Sequence, residues 1–292
     1  MNNTRSRSIL PCTLLMLAVA IIGRSPLLQA DHRTLWELGA GAATLHAPLY
    51  RGSKITKDYS IPIPFVRYRG KIFAADEDGM RGKLYKTNHF EMDVSFAGSL
   101  PVPKDRGGAR EDMPSLDPII QFGPALKYFL SKSVSNNGKR VVTLKLPLRM
   151  AMSVGNPVLE HQGWAMSPNL NWLEQFRNKG ANWRVSISVG PLFADAKYHN
   201  YFYQVDQKYE TGQRLPYSAG GGYSGSRLSI RISRNTKKLY LGLFARFDDL
   251  SNAKFVDSPL VETERYGVYG VAIAWVFRTS EQRARHSNGE KK

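Results

Sequence analysis

This chain is nearly without cysteine. Its one thiol, Cys12, lies in the first thirty residues. Past that point no disulfide, zinc–thiolate or cysteine-nucleophile chemistry is open to it. It also lacks a long apolar run. The most apolar stretch after residue 30, Val268 to Phe277, is far too short to span a bilayer as a helix but suits a tilted transmembrane strand. The six histidines are scattered, and no pair has a His-x-x-x-His metal spacing. Neither a metal nor another cofactor is expected.

What is present begins with a leader. Arg5 and Arg7 give residues 1–30 a positive start, and Ile9 to Gly23 form an apolar stretch. Leu28-Gln29-Ala30 offers a cleavage site after Ala30, as in a secretory signal peptide. A membrane anchor is disfavoured, because the run is short of the ~20 apolar residues a spanning helix needs. Cleavage leaves about 262 residues, enough for one large β-domain. The formal charge is +17. The leader holds three of these cations and no acid, which leaves +14. Nucleic acid is the usual partner of so basic a chain. Export argues against it, and the charges are spread rather than gathered in one element. Lipopolysaccharide phosphates, murein carboxylates and anionic solutes are better matched partners.

From residue 34 onward the chain alternates. Phe90, Met92, Val94 and Phe96 interleave with His89, Glu91, Asp93 and Ser95. Trp183, Val185, Ile187 and Val189 interleave with Asn182, Arg184, Ser186 and Ser188. Period two places one set on each face of a strand. Twelve such segments are predicted, near 34–47, 61–69, 71–76, 80–86, 89–100, 118–130, 139–152, 167–176, 182–193, 222–233, 238–247 and 265–277. Connections after even-numbered strands are short. All but one of those after odd-numbered strands are long, the exception being 77–79. An even strand number, short turns at one end and long loops at the other are features of outer-membrane barrels. The expected fold is therefore an all-β, transmembrane antiparallel barrel over residues 31–277, with long extracellular loops and short periplasmic turns. A soluble periplasmic β-sandwich is the competing architecture. Aromatic residues at strand ends, such as Trp36, Tyr68, Tyr85, Tyr128, Trp164, Trp172, Trp183, Tyr266 and Phe277, suit interfacial girdles.

The same parity points Glu91, Asp93, Lys145, Arg149, Arg184, Arg227, Arg231, Lys238 and Arg246 into the lumen. These charges form either an anion-attracting pore or pocket or an internal salt-bridge network that fills a narrow barrel. No catalytic constellation is evident. Gly222-Tyr223-Ser224-Gly225-Ser226 lacks the Gly-x-Ser-x-Gly spacing of a nucleophile elbow, and its glycines suit a bend at the rim. Asp248-Asp249 reads as a solvated pair in an outer loop. Residues 278–292 form a polar basic tail in which Arg278, Arg283, Arg285, Lys291 and Lys292 are candidate periplasmic contacts for murein or an acidic partner.

Several strings, in order and spacing, resemble the MipA/OmpV family of outer-membrane proteins. They are Pro48-Leu49-Tyr50-Arg51-Gly52-Ser53, Pro62-Ile63-Pro64 with Tyr68-Arg69-Gly70, and Asp76 with Asp78-Gly79. Gly98-Ser99-Leu100-Pro101-Val102 and Met113-Pro114-Ser115-Leu116-Asp117-Pro118 with Gly123-Pro124 follow. Tyr201-Phe202-Tyr203, Ala219-Gly220-Gly221-Gly222-Tyr223 and Asp257-Ser258-Pro259-Leu260-Val261 complete the set. The resemblance implies an outer-membrane location in a Gram-negative envelope. It also implies a non-enzymatic scaffold that joins a lytic transglycosylase to a murein synthase in peptidoglycan turnover. Other members of the family are studied as outer-membrane antigens or adhesins, so the resemblance also leaves a surface adhesin open. A small channel or binding barrel for anionic solutes is the alternative, and an outer-membrane hydrolase is the weakest reading.

Overall fold

A computed structural model describes residues 35–69, 73–76, 79–104, 108–135 and 138–280. The leader and the tail cations Arg283, Arg285, Lys291 and Lys292 lie outside the described residues. The strands are β1 (Trp36–Pro48), β2 (Thr56–Arg69), β3 (Phe73–Asp76), β4 (Gly79–Lys86), β5 (Phe90–Ser99), β6 (Ile119–Ser135) and β7 (Gly138–Ser153). They continue with β8 (Glu160–Met166), β9 (Asn169–Asn178), β10 (Ala181–Ala194), β11 (Gly222–Asn235), β12 (Leu239–Asp249) and β13 (Arg265–Thr279). One helix, α1 (Ala196–Tyr203), follows β10.

All strands join one antiparallel sheet, and β13 pairs with β1, so the sheet closes on itself. Closure pairs most of the backbone that lipid would otherwise leave unsatisfied. It is thinnest at the short β3–β4 hairpin, where β2 meets β3 only at Tyr68↔Ala75 and Arg69↔Ala74. Strands β8 and β9 share one place in the ladder. Both pair with β7 on one side and β10 on the other. The break between them falls at Ser167 and Pro168, where proline has no N–H to donate. Twelve ladder positions therefore surround the lumen among the described residues. Several boundaries differ from the sequence reading: β2 begins at Thr56 and β6 runs to Ser135, both inside segments expected to be connections. Residues 160–166, expected in a loop, form β8, because their short apolar runs carry too weak a period to stand out.

The alternation becomes two faces. On β6, Ile120, Phe122, Leu126, Tyr128 and Leu130 are exposed, while Gln121, Ala125 and Lys127 are buried. On β7, Leu144, Leu146 and Leu148 are exposed, while Thr143 and Ala151 are buried. Val271, Ile273 and Trp275 continue the outer belt on β13. An apolar outside around a polar inside is the inverse of a water-soluble protein and the arrangement of a barrel in lipid.

The short connections behave as hairpins. Lys179 (φ 47°) and Gly180 (φ 75°) make a two-residue turn between β9 and β10, with both residues left-handed as a type I′ turn requires. The opposite end is different. Residues 49–55, 100–104, 108–118, 195–221 and 250–264 fold over the barrel mouth and pack together. Tyr50, Val102, Phe202, Tyr203, Leu250, Phe255 and Leu260 are buried there in one apolar cluster. The hydrophobic core of this molecule thus lies in its loops rather than between its strands.

Candidate functional site: the arginine-lined lumen beneath the cap

The cap is tied down by side chains that satisfy loop carbonyls. Tyr50 Oη donates to Leu260 O (2.8 Å), Tyr203 Oη donates to Arg51 O (2.9 Å), and Ser258 Oγ donates to Tyr203 O (2.8 Å). Burial raises the Tyr203 phenol well above its ordinary value, so it remains a donor. Its ring stacks on Phe255 at 3.8 Å between centroids. Gly52 has φ 94°, and its carbonyl accepts from Glu262 N (2.8 Å) and Thr263 N (3.0 Å), which joins the first long loop to the last.

Helix α1 is placed by Asp195. One of its carboxylate oxygens accepts from Tyr198 N (2.8 Å), the N-cap bond, and the other from Trp164 N (3.1 Å) on β8. The helix presents His199 to the start of β11. His199 Nδ1 stands 2.7 Å from Gly220 O and therefore carries the proton. Its Nε2, 2.6 Å from Ser224 Oγ, then accepts from that hydroxyl. Burial lowers the affinity of His199 for a second proton. Both residues are about 1% exposed, so this Ser–His pair is a bolt between α1 and β11. The sequence showed the bend at Gly222 but not the bolt.

Asp248 corrects a second expectation. It is not a solvated loop acid. It points inward near the end of β12 and is 3% exposed. Arg227 Nε and Nη2 donate to its two oxygens at 2.8 and 2.7 Å. Tyr266 Oη donates at 2.6 Å, and Arg51 Nε donates at 3.3 Å. Arg246 Nε lies 3.4 Å away. Three guanidinium groups thus share one carboxylate. Tyr266 is consequently an inward residue and no part of an outer girdle. The neighbouring Asp249 meets Arg265 instead, at 3.0 Å.

The remaining charges divide by depth. Lys127 binds Glu91 Oε1 at 3.2 Å and also Asp93, a compact internal ion cluster. Asp93, Lys145, Arg149, Arg227, Arg231 and Arg246 line one cavity of about 300 Å³. Arg231 extends over the Phe244 ring, 5.7 Å from its centroid. Arg184 sits on β10 opposite Gln175 and Ser233. Two residues fall elsewhere than expected. Lys238 lies exposed in the turn before β12, where the strand has not yet begun, and it does not line the cavity. Arg278 is paired with Leu38 in the β13–β1 ladder, because the strand runs on to Thr279.

A closed barrel with a folded loop cap and a basic lumen now has a family to set beside it. The family described as MltA-interacting protein MipA matches residues 38–277. The chain belongs to the MipA family. As a MipA-family protein with an outward apolar belt it is an outer-membrane-type β-barrel. No curated protein matches it. Among solved structures it is similar to CdiB from Acinetobacter baumannii, at 10% identity and a TM-score of 0.30, over 83% of this chain and 60% of that one. It is also similar to a Pseudomonas aeruginosa FadL homologue, at 6% identity and a TM-score of 0.29, over 85% of this chain and 91% of that one. The MipA match spans every loop of the cap. Strings that carry the family resemblance, Leu49-Tyr50, Phe202-Tyr203 and Ser258-Pro259-Leu260 among them, supply much of its buried core.

Proposed function

We propose that this chain is a non-enzymatic outer-membrane scaffold linked to murein turnover, with a lytic transglycosylase and a murein synthase as its partners. The family match over residues 38–277 carries this reading. The cap supports it, because a mouth filled by packed aromatic side chains suits an anchoring barrel better than an open porin. The family strings in the cap then shape the barrel, and partner contact falls to the opposite end.

In this reading the leader 1–30 is removed after Ala30, and lipid and lipopolysaccharide surround the apolar belt. Both ends of the barrel domain emerge on the short-turn side, where Ser280 N donates to Trp36 O (2.9 Å). That side faces the periplasm. There the cations Arg283, Arg285, Lys291 and Lys292 meet murein or an acidic partner through screened, long-range attraction.

Affinity capture of the full chain from crosslinked envelopes tests the scaffold. A lytic transglycosylase should be recovered with it, and recovery should fall when residues 281–292 are removed. Capture of outer-membrane barrels without any murein enzyme would overturn the reading. Sequencing the N-terminus of the envelope protein should give Asp31 first.

A further inference from the structure

Among the described residues, the lumen beneath the cap has more half-buried cations than carboxylates to answer them. Asp248 alone serves Arg51, Arg227 and Arg246. Arg149, projecting from β7, donates only to hydroxyls, Ser95 Oγ and Ser167 Oγ, and has no ion pair with a described carboxylate. The Nε atoms of Arg149 and Arg246 are both buried without a hydrogen-bond acceptor. Orphaned charged donors of this kind are costly to leave unmade.

These arginines also occupy a junction. Arg149, Arg227 and Arg246 line the lumen cavity of about 300 Å³ and equally a second cavity of about 250 Å³ under the cap. The second cavity is walled on its cap side by Leu49, Tyr50, Phe202, Tyr203 and Phe255. A polar, cationic floor therefore meets an apolar, aromatic roof.

We propose that this junction is a binding site for a small organic anion, with its oxyanion head on Arg149 and Arg246 and its apolar body against the underside of the cap. The arginine fork suits such a head. It donates two parallel N–H bonds to adjacent oxygens, and the desolvated setting strengthens each of them. Asp248 keeps Arg227 and Arg246 aimed inward, while Arg149 supplies a charge that no described carboxylate pairs with. The apolar roof selects against bare inorganic ions. This site is independent of the scaffold reading and stands if that reading fails.

The test is calorimetric titration of the purified full-length barrel in neutral detergent, with empty micelles as reference. Phenyl phosphate is the probe; inorganic phosphate and phenol supply head and body alone. Phenyl phosphate should saturate at one molecule per chain and bind more tightly than either fragment. Arg149→Gln should weaken it by about tenfold or more, the loss of one charge-assisted contact. Lys238→Gln, at an exposed turn, should change nothing. Absence of saturable heat, phenol binding as tightly as phenyl phosphate, or equal weakening by Lys238→Gln would each overturn the site. Should Arg149→Gln lose its heat-modifiable gel mobility, Arg149→Lys keeps the charge without the fork. It should still weaken binding, and unchanged binding would remove Arg149 from the site.

Discussion

Asp248 is the residue on which most of the inner charge depends. One carboxylate faces Arg51, Arg227 and Arg246 and is itself almost fully buried. Removing its charge leaves three half-buried guanidinium groups to repel one another around a site that no longer holds an anion. Asp248→Asn should therefore cost about 3–5 kcal/mol. Urea unfolding followed by heat-modifiable mobility measures this, and a loss under about 1 kcal/mol would show that water already solvates the cluster. His199 predicts a pH effect on the cap. Burial lowers its folded-state pKa below the ordinary 6.5, so the unfolded state takes up the proton first. Cap stability is then complete above about pH 6.5 and falls as pH drops below it. Proteolysis within 195–221 should speed up between about pH 7.5 and 5.5. His199→Gln should flatten that response.

At the scale of the element, strand register is the claim most open to test. Val189 on β10 is exposed toward lipid, and Ile187 shares its face, whereas Ser188 lines the cavity. Ile187→Arg should destabilise the barrel by ~2–4 kcal/mol, the cost of arginine near the bilayer midplane. Ser188→Asn, one residue away, should leave heat-modifiable mobility unchanged. Equal damage from the two would contradict the register. Period two was legible in the sequence because each strand has one lipid face and one lumen face. Strand β8 and helix α1 were not. In 160–166 the alternation is interrupted by Gly163, whose φ of 103° bends the strand toward Asp195. Helix α1 has eight residues and is held by the cap bond that Tyr198 N donates to Asp195 and by its buried face, contacts that no local pattern reveals.

The whole molecule is a barrel with a separate core at one mouth. The ladder pairs most of the strand backbone, while the cap is held mainly by its own apolar packing and tyrosine hydrogen bonds. It meets the strands through a few ties such as Asp195 to Trp164 N and His199 to Ser224. The two should therefore be separable. Replacing 196–221 with a short Gly-Ser linker should leave a folded, heat-modifiable barrel. It should also raise single-channel conductance in a planar bilayer above that of the intact chain. Conductance that is the same in both would mean that the lumen below the cap sets the resistance.

The class of fold, the antiparallel neighbour-to-neighbour order of the strands and the end at which the long loops lie were legible in the sequence. Those properties follow from period and parity, which act through neighbours along the chain and are imposed on every strand by lipid outside and water or charge within. Tertiary structure alone decided which charges meet. The sequence put Arg149, Arg227 and Arg246 on one face, yet only closure of the sheet brings strands β7, β11 and β12 around a common cavity. Asp248 looked like a loop acid because its Asp-Asp string resembles a solvated turn. Arg51 from the first long loop, Arg227 across the ladder on β11 and Arg246 two residues back on β12 make it a buried hub. The cap is the same case on a larger scale. Leu49, Val102, Phe202 and Phe255 are far apart in sequence and belong to four different loops. They form a core because folding those loops over one mouth is what removes their apolar surface from water.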